Sequence, residues 1–339
     1  MVDICCVLEW ENAVGIERIA SHNYLNDLII RLDNFGRSMA HEIELMIIYD
    51  ETIKRSDLEE NLLHAEALHA ATIKVKFLRA PNTRYMDKKA LAPHFTRANI
   101  LIYADSDCYY NLGWLEQHIK TLKTETIGVS SGNTVALKST NIVAEACTLA
   151  WFFPSEDPRD RLHSKANKRF FANNFAAKRQ VLLDVPLPRL DASRAHYALW
   201  KKRLDERQIC VKKLPEAKAS HKQYDTVFDL FQRAYLLGRD KDFGVANDGA
   251  GRVKRLSRAI TALFELTFKF LARFFTVGVC TMPVLHWPVI LSLGLAFQWI
   301  VAVRQILCAM FKKYQPERVG YDDLIALAEI QYPIIIGSK

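Results

Sequence analysis

The sequence predicts an α/β protein whose mostly parallel sheet, flanked by helices, runs on into long apolar helices at the C-terminus. Three observations carry the prediction. Short apolar runs alternate with helical spacing over the first hundred or so residues, carboxylates stand at the ends of three of those runs, and residues 274–303 hold no Asp, Glu, Lys or Arg. Residues 4–8 (Ile-Cys-Cys-Val-Leu) are apolar without alternation, as in a strand buried on both faces. Ile16, Ile19, Ala20, Leu28, Ile29 and Leu32 then recur at helical spacing, and residues 45–49 make a second buried strand closed by Asp50-Glu51. Leu58, Leu62, Ala65 and Leu68 mark another helix, and residues 73–77 alternate like an edge strand. After Pro81-Asn82 a helix holds residues 90–98, and residues 100–104 are a third buried strand. Strands separated by helices in this rhythm give parallel pairing with right-handed crossovers. Ligands of such sheets sit beyond the carboxyl ends of the strands, where this chain places Glu9, Asp50 and the pair Asp105 and Asp107.

Residues 127–130 read as a strand, 143–150 as an apolar helix, 154–160 as a polar loop, 192–206 as a helix and 209–211 as a short strand. From Gly238 the character changes. Gly244, Gly249 and Gly251 mark a linker, followed by Arg252, Lys254, Arg255 and Arg258. Leu256, Ile260, Leu263, Phe270 and Phe274 then share one helical face, with Arg258, Glu265, Lys269 and Arg273 on the other, the pattern of an interfacial membrane helix. The charge-free stretch that follows is long enough for a membrane helix of about 20 residues, and Pro283 and Pro288 divide or kink it, so a single span or a re-entrant hairpin is expected. Basic residues flank both sides of it, which favours a hairpin returning to its own side.

The composition agrees. Of 339 residues 50% are hydrophobic and 25% charged, which excludes a disordered or fibrous chain. Lys and Arg (46) exceed Asp and Glu (38), giving +8 and a pI near 9.0, an excess that suits an anionic partner. No helix-turn-helix, zinc-finger or RNA-binding aromatic motif is present, and the basic run adjoins an apolar helix. Membrane headgroups are therefore the expected partner, and nucleic acid is not. Seven cysteines without a CxxC spacing indicate reduced thiols rather than a disulfide framework or a structural zinc site. No charged leader precedes the first strand, so the N-terminal domain is expected on the cytoplasmic side of the membrane.

Asp105-Ser106-Asp107, directly after a strand, can turn carboxylates toward one divalent cation, Mn²⁺ or Mg²⁺, that also takes phosphate oxygens. Four stretches then resemble family 2 glycosyltransferases, inverting enzymes of the GT-A fold: Glu9-Trp10-Glu11-Asn12, Asp50-Glu51, residues 98–107 ending in the Asp-x-Asp motif, and residues 171–179 (Phe-Ala-Asn-Asn-Phe-Ala-Ala-Lys-Arg). The resemblance spans residues 2–242, with a Gly238-Arg239-Asp240 ending seen in some members. It implies that Glu9 and Asp50 contact the nucleoside of a nucleotide sugar and that Asp105 reaches ribose or metal. It further implies that Asp107 is the principal metal ligand and that Asn173 and Asn174 lie near donor sugar and acceptor. Some members bring a histidine after a Leu-Pro as a third ligand, which Leu214-Pro215 and His221 match here; imidazole suits Mn²⁺ better than Mg²⁺. Lys88, Lys89, Arg84, Lys178 and Arg179 are the cations available to face a diphosphate.

The chain departs from the family at the general base. Where members carry Glu-Asp about two dozen residues before the histidine, this chain has His196-Tyr197, with Asp191 shortly before, so His196 and Asp191 are the candidates. The resulting expectation is an inverting, metal-dependent hexosyltransferase that moves a sugar from a nucleotide-diphosphate sugar, UDP-linked, to a lipid-linked or polysaccharide acceptor at the cytosolic membrane face. A non-catalytic membrane scaffold of the same fold is the alternative. The expected layout is a GT-A domain over residues 1–242, a linker and amphipathic helix over 243–275, a hydrophobic membrane segment over 276–313 and a cytosolic tail over 314–339.

Overall fold

The computed structural model describes residues 3–10, 16–39, 41–50, 73–151, 153–166, 169–190, 196–315, 317–318 and 320–331. Among them the strands are β1 (Ile4–Glu9), β2 (Ile43–Tyr49), β3 (Lys74–Arg79), β4 (Ile100–Asp105), β5 (Cys108–Tyr110), β6 (Ile127–Ala136), β7 (Asn174–Lys178), β8 (Cys210–His221) and β9 (Glu329–Gln331). The helices are α1 (Ile16–Met39), α2 (Tyr85–Leu91), α3 (Trp114–Leu122), α4 (Ile142–Ala150), α5 (Leu162–Ala166), α6 (Arg179–Asp184), α7 (His196–Glu206), α8 (Val227–Asn247), α9 (Arg252–Arg273), α10 (Trp287–Phe311) and α11 (Asp322–Ile325). The helix expected around Leu58 and Leu68 lies outside the described residues.

One sheet runs through the molecule in the order β5-β8-β6-β7-β4-β1-β2-β3-β9. The pairings β1–β2, β1–β4, β2–β3 and β6–β8 are parallel. Both faces are covered, as the unbroken apolar runs require. Ile4, Cys6 and Leu8 point into a core shared with α1 and α3, whereas Cys5 and Val7 point into one shared with α2 and α7.

The departures from expectation are antiparallel. β7 inserts between β4 and β6 against the direction of both. β5 pairs antiparallel with β8, which runs to His221 rather than stopping at residue 211. The C-terminal segment is no free tail: β9 adds antiparallel to β3, and Tyr321 and Leu324 are buried in the second core. Tyr321 Oη donates to the Leu187 carbonyl at 2.6 Å, and Arg189 pairs with Asp323 at 2.6 Å.

The boundary expected at residue 242 falls inside α8, which continues to Asn247 with Phe243 buried. Helices α9 and α10 then fold back on each other and onto α8 and α4. Glycines permit the close approach: a Cβ at Gly294 would collide with the Phe270 ring, and one at Gly238 would meet the Val301 carbonyl. The expected outward stripe is therefore partly spent inward, since Phe270 and Phe274 are buried. Arg273, expected on the polar face, is buried too. It pairs with Asp160 and donates to the carbonyls of Thr148, Leu149 (3.1 Å), Trp151 (2.8 Å) and Phe153 (2.7 Å). A guanidinium thus closes the C-terminal end of α4, where the helix leaves its last carbonyls unpaired.

Removing that guanidinium would strand a buried carboxylate and several carbonyls. Arg273→Met is expected to cost about 3–5 kcal/mol in chemical denaturation, with much of the loss recovered when Asp160→Leu is added. Equal stability of Arg273→Met and wild type would contradict this account.

Candidate active site

Strands β1, β2 and β4 end at one edge of the sheet, and register sets Glu9 beside Asp105. Helix α2 lays two consecutive lysines against these ends. Lys88 Nζ contacts Asp50 Oδ2 at 2.7 Å, Glu9 Oε1 at 3.1 Å and the Trp10 carbonyl at 3.3 Å. Burial alone would pull Lys88 down, but Glu9 and Asp50 together hold its ammonium above the ordinary value. Lys89 Nζ donates to Asp105 Oδ1, to Tyr85 Oη at 2.8 Å and to the Ala172 carbonyl at 2.8 Å, while Tyr85 Oη donates to Asp105 Oδ2 at 2.7 Å.

An ammonium carries three hydrogens, so the fully buried Lys89 has none left for a diphosphate. Asp105, expected to reach ribose or metal, has an oxygen on each of two protein donors and lines the same cavity as Asp107. Glu9 is buried and Asp50 half-buried around Lys88.

The second group forms where β5 meets β8. Their register pairs Cys108 with His221, and the Lys222 N–H donates to the Asp107 carbonyl at 2.9 Å. Asp107 Oδ2 and His221 Nε2 consequently lie 3.2 Å apart. His221 Nδ1 donates to the Lys222 carbonyl, which orients the ring with Nε2 toward the carboxylate, the nitrogen that would be available to an ion. Cys108 completes a trio whose ligand atoms lie within 4.8 Å of one another. Burial first, then Asp107 and Asp105, pushes its thiol well up, so it stays protonated against Asp107 and accepts from Asn173 Nδ2 at 3.2 Å. Cis ligands of an octahedral ion at about 2.1 Å stand about 3 Å apart. The Asp107 and His221 pair fits such an ion, and its oxygen and imidazole donors suit Mn²⁺ or Mg²⁺.

These two residues open on a cavity of about 290 Å³ that Asp105, Asn173, Tyr197 and Arg233 also line. Asn173 accepts from Thr134 Oγ1 at 2.9 Å and faces this space. Asn174 does not, because successive strand residues point to opposite faces. Its Oδ1 accepts from Trp114 Nε1 (2.9 Å) and His118 (3.1 Å), and its Nδ2 donates to the carbonyls of Asn133 (2.7 Å) and Ala217 (2.9 Å). Every hydrogen-bonding position of that amide is used in joining α3, β6 and β8.

His196 is buried away from the cavity lining, and burial, followed by Arg84 and Arg239, pulls it down to about 4. Its neighbour Tyr197 lines the cavity instead, with a hydroxyl that has no hydrogen-bond partner among the described residues. Burial, with Asp105 next, keeps that phenol protonated and hence a donor. Asp191 lies outside the described residues; the chain reaches Leu190, whose carbonyl accepts from Arg84 Nη1 at 3.0 Å, one residue from Tyr85 on the cavity wall.

Sequence reasoning missed Tyr197 and Arg233. Tyr197 occupies the position where an acidic residue was sought. Arg233 sits within an amphipathic helix and carries no motif of its own.

No protein-family model matches the chain, and no curated protein matches its sequence. Solved structures do match its fold. A mannosyltransferase from Pyrobaculum calidifontis, solved with GDP-Man and Mn²⁺, superposes with a TM-score of 0.52 at 10% identity, covering 91% of this chain and 87% of that one. Glucosyl-3-phosphoglycerate synthase from Mycobacterium tuberculosis, solved with phosphoglyceric acid, gives 0.47 at 13% identity over 74% and 81%. The chain has the GT-A fold.

Two buried histidines make stability depend on pH. His118 and His196 are each drawn from an ordinary 6.5 down to about 4, mainly by burial. Between those values the unfolded chain binds protons that the folded protein refuses. Their contribution is therefore whole above about pH 6.5 and falls as pH drops toward 4, by about 1.4 kcal/mol per pH unit for each histidine. Denaturation at several pH values should show His196→Gln with a clearly shallower loss than wild type; an unchanged slope would refute the assignment.

Proposed function

We propose that this chain is a metal-dependent glycosyltransferase that moves a sugar from a nucleoside-diphosphate sugar to an acceptor hydroxyl. The observation that carries the reading is the Asp107 and His221 pair, 3.2 Å apart on the wall of the cavity at the strand ends of a GT-A fold. Asp107 and His221 would hold the ion, which when bound neutralises charge on the departing diphosphate. Glu9 and Asp50 would meet the nucleoside and Asn173 the sugar. In the transfer the bond from the anomeric carbon to the diphosphate oxygen breaks with its electron pair leaving on the diphosphate, and a bond to the acceptor oxygen forms. Asp191 would take the acceptor proton, which gives an in-line displacement with inversion. UDP is the first nucleotide to test; GDP belongs beside it because the Pyrobaculum enzyme was solved with GDP-Man.

Calorimetric titration with UDP and with GDP should show binding that needs Mn²⁺ and is lost in Asp107→Ala. Asp191→Asn should keep that binding and lose transfer by about two to four orders of magnitude. Metal-independent binding, or none, would count against the site, and binding without any transfer would favour a scaffold of the same fold.

We also propose that the α9 and α10 pair rests on an anionic membrane surface, its helices in the plane of the bilayer. Phe264 and Phe268 on α9, and Trp299 and Phe311 on α10, are exposed, as are Phe275, Val284 and Leu285 between the helices. Arg252, Lys254, Arg258 and Lys313 are exposed at the ends of these helices, the arrangement that attracts acidic headgroups. Helix α10 is long and apolar enough to cross a membrane, but its contacts favour lying flat: Gly294 abuts Phe270, Gln298 Nε2 donates to the Ala150 carbonyl at 2.8 Å, and Gly238 abuts Val301. An acceptor carried on a lipid or a growing polysaccharide would be concentrated at the same surface.

The double variant Phe264→Glu/Phe268→Glu should fold normally, since both rings are exposed, and should lose co-sedimentation with phosphatidylglycerol vesicles. Unaltered co-sedimentation would remove this face from the account.

A further inference from the structure

The cations expected to face a diphosphate are all engaged elsewhere. Lys88 and Lys89 are spent on strand-end carboxylates. Arg84 donates to the Leu190 carbonyl, Arg179 to that of Pro93, and Lys178 to those of Thr124 and Glu125. Among the described residues lining the cavity, Arg233 is the only lysine or arginine. Its guanidinium lies 4.9 Å from the centre of the Trp151 ring, and no carboxylate among the described residues pairs with it. Stacking on an indole fixes the plane of a guanidinium while leaving its N–H edge free. The same indole neighbours the metal pair, its centre 6.1 Å from that of the His221 ring.

We propose that Arg233, steadied on Trp151, is the phosphate-binding residue of this cavity. The inference rests on the glycosyltransferase reading for its ligand, a phosphate group presented either by the donor's diphosphate or by a phosphorylated acceptor. Charge favours such a ligand. A half-buried guanidinium with no carboxylate partner among the described residues lines the same cavity as Asp107 and His221, and a divalent ion held there would carry more positive charge than Asp107 offsets, leaving an excess that an anion would balance. The planar fork of arginine matches two phosphate oxygens at once, which a lysine cannot do.

The test uses full-length wild type, Arg233→Gln and Arg233→Lys, titrated with UDP or GDP in Mn²⁺ and separately with decyl phosphate. Unchanged thermal unfolding of the variants establishes that the fold is intact, as expected for a side chain that only stacks. Loss of the phosphate contact should weaken binding about 10- to 100-fold in Arg233→Gln, with Arg233→Lys between it and wild type. A loss confined to the nucleotide arm assigns the phosphate to the donor, and one confined to decyl phosphate assigns it to the acceptor; either supports the proposal. Equal binding of both probes by wild type and Arg233→Gln overturns it. If wild type binds no nucleoside diphosphate, the glycosyltransferase reading fails by itself and the decyl phosphate arm still decides Arg233. If wild type binds neither probe, both fail.

Discussion

Two consecutive lysines on α2 are the constraint around which the site is built. Parallel strands β1, β2 and β4 bring Glu9, Asp50 and Asp105 to one edge, where three carboxylates in a confined space would repel one another. Lys88 and Lys89 compensate them from a short helix, each with its hydrogens used on protein oxygens. Compensated charges of this kind add little net stability, but removing one partner leaves the other buried and unpaired. The strand ends, the start of α2 and the Ala172 backbone are thereby tied to one another before any ligand arrives.

The pair Asp107 and His221 depends on a different device, strand register. Asp107 and His221 are more than a hundred residues apart, and only the antiparallel pairing of β5 with β8 sets them side by side. That pairing is supported from beneath by Asn174, whose amide joins Trp114, His118, Asn133 and Ala217. The two asparagines of one dipeptide therefore do opposite jobs: Asn173 faces the cavity, and Asn174 holds the strands that make it.

This explains what could be read from the sequence and what could not. Strands β1, β2 and β4 were legible because a strand buried on both faces leaves an unbroken apolar run, and Asp105 and Asp107 because they follow such a run directly. Strand β7 was not, since Asn174 and Lys178 at its two ends leave only a short apolar run between them, and the partners of both polar groups lie far off in the chain. The same holds for β9, three residues long and mostly exposed. The lysines were legible as charges, but a sequence shows only that a cation is present and not where its hydrogens are spent. Arg233 was hidden for the converse reason, that its lack of a carboxylate partner exists only in three dimensions.

The apolar hairpin and the cavity are joined through a single side chain. Arg273, at the end of α9, closes the last carbonyls of α4 and reaches on to those of Trp151 and Phe153. Trp151 and Phe153 in turn stand against His221, so a buried guanidinium connects the outward-facing helices to the residues beside Asp107 and His221. A freely hinged anchor would leave the cavity's orientation to the linker. Here the connection is short and held on both sides: α8 runs unbroken past residue 242 to Asn247, only residues 248–251 separate it from α9, α10 lies against α8 along Gly238 and Val301, and Arg273 closes the remaining side. A membrane bound to the outward face of α9 and α10, as proposed above, would therefore also set the direction in which the cavity opens.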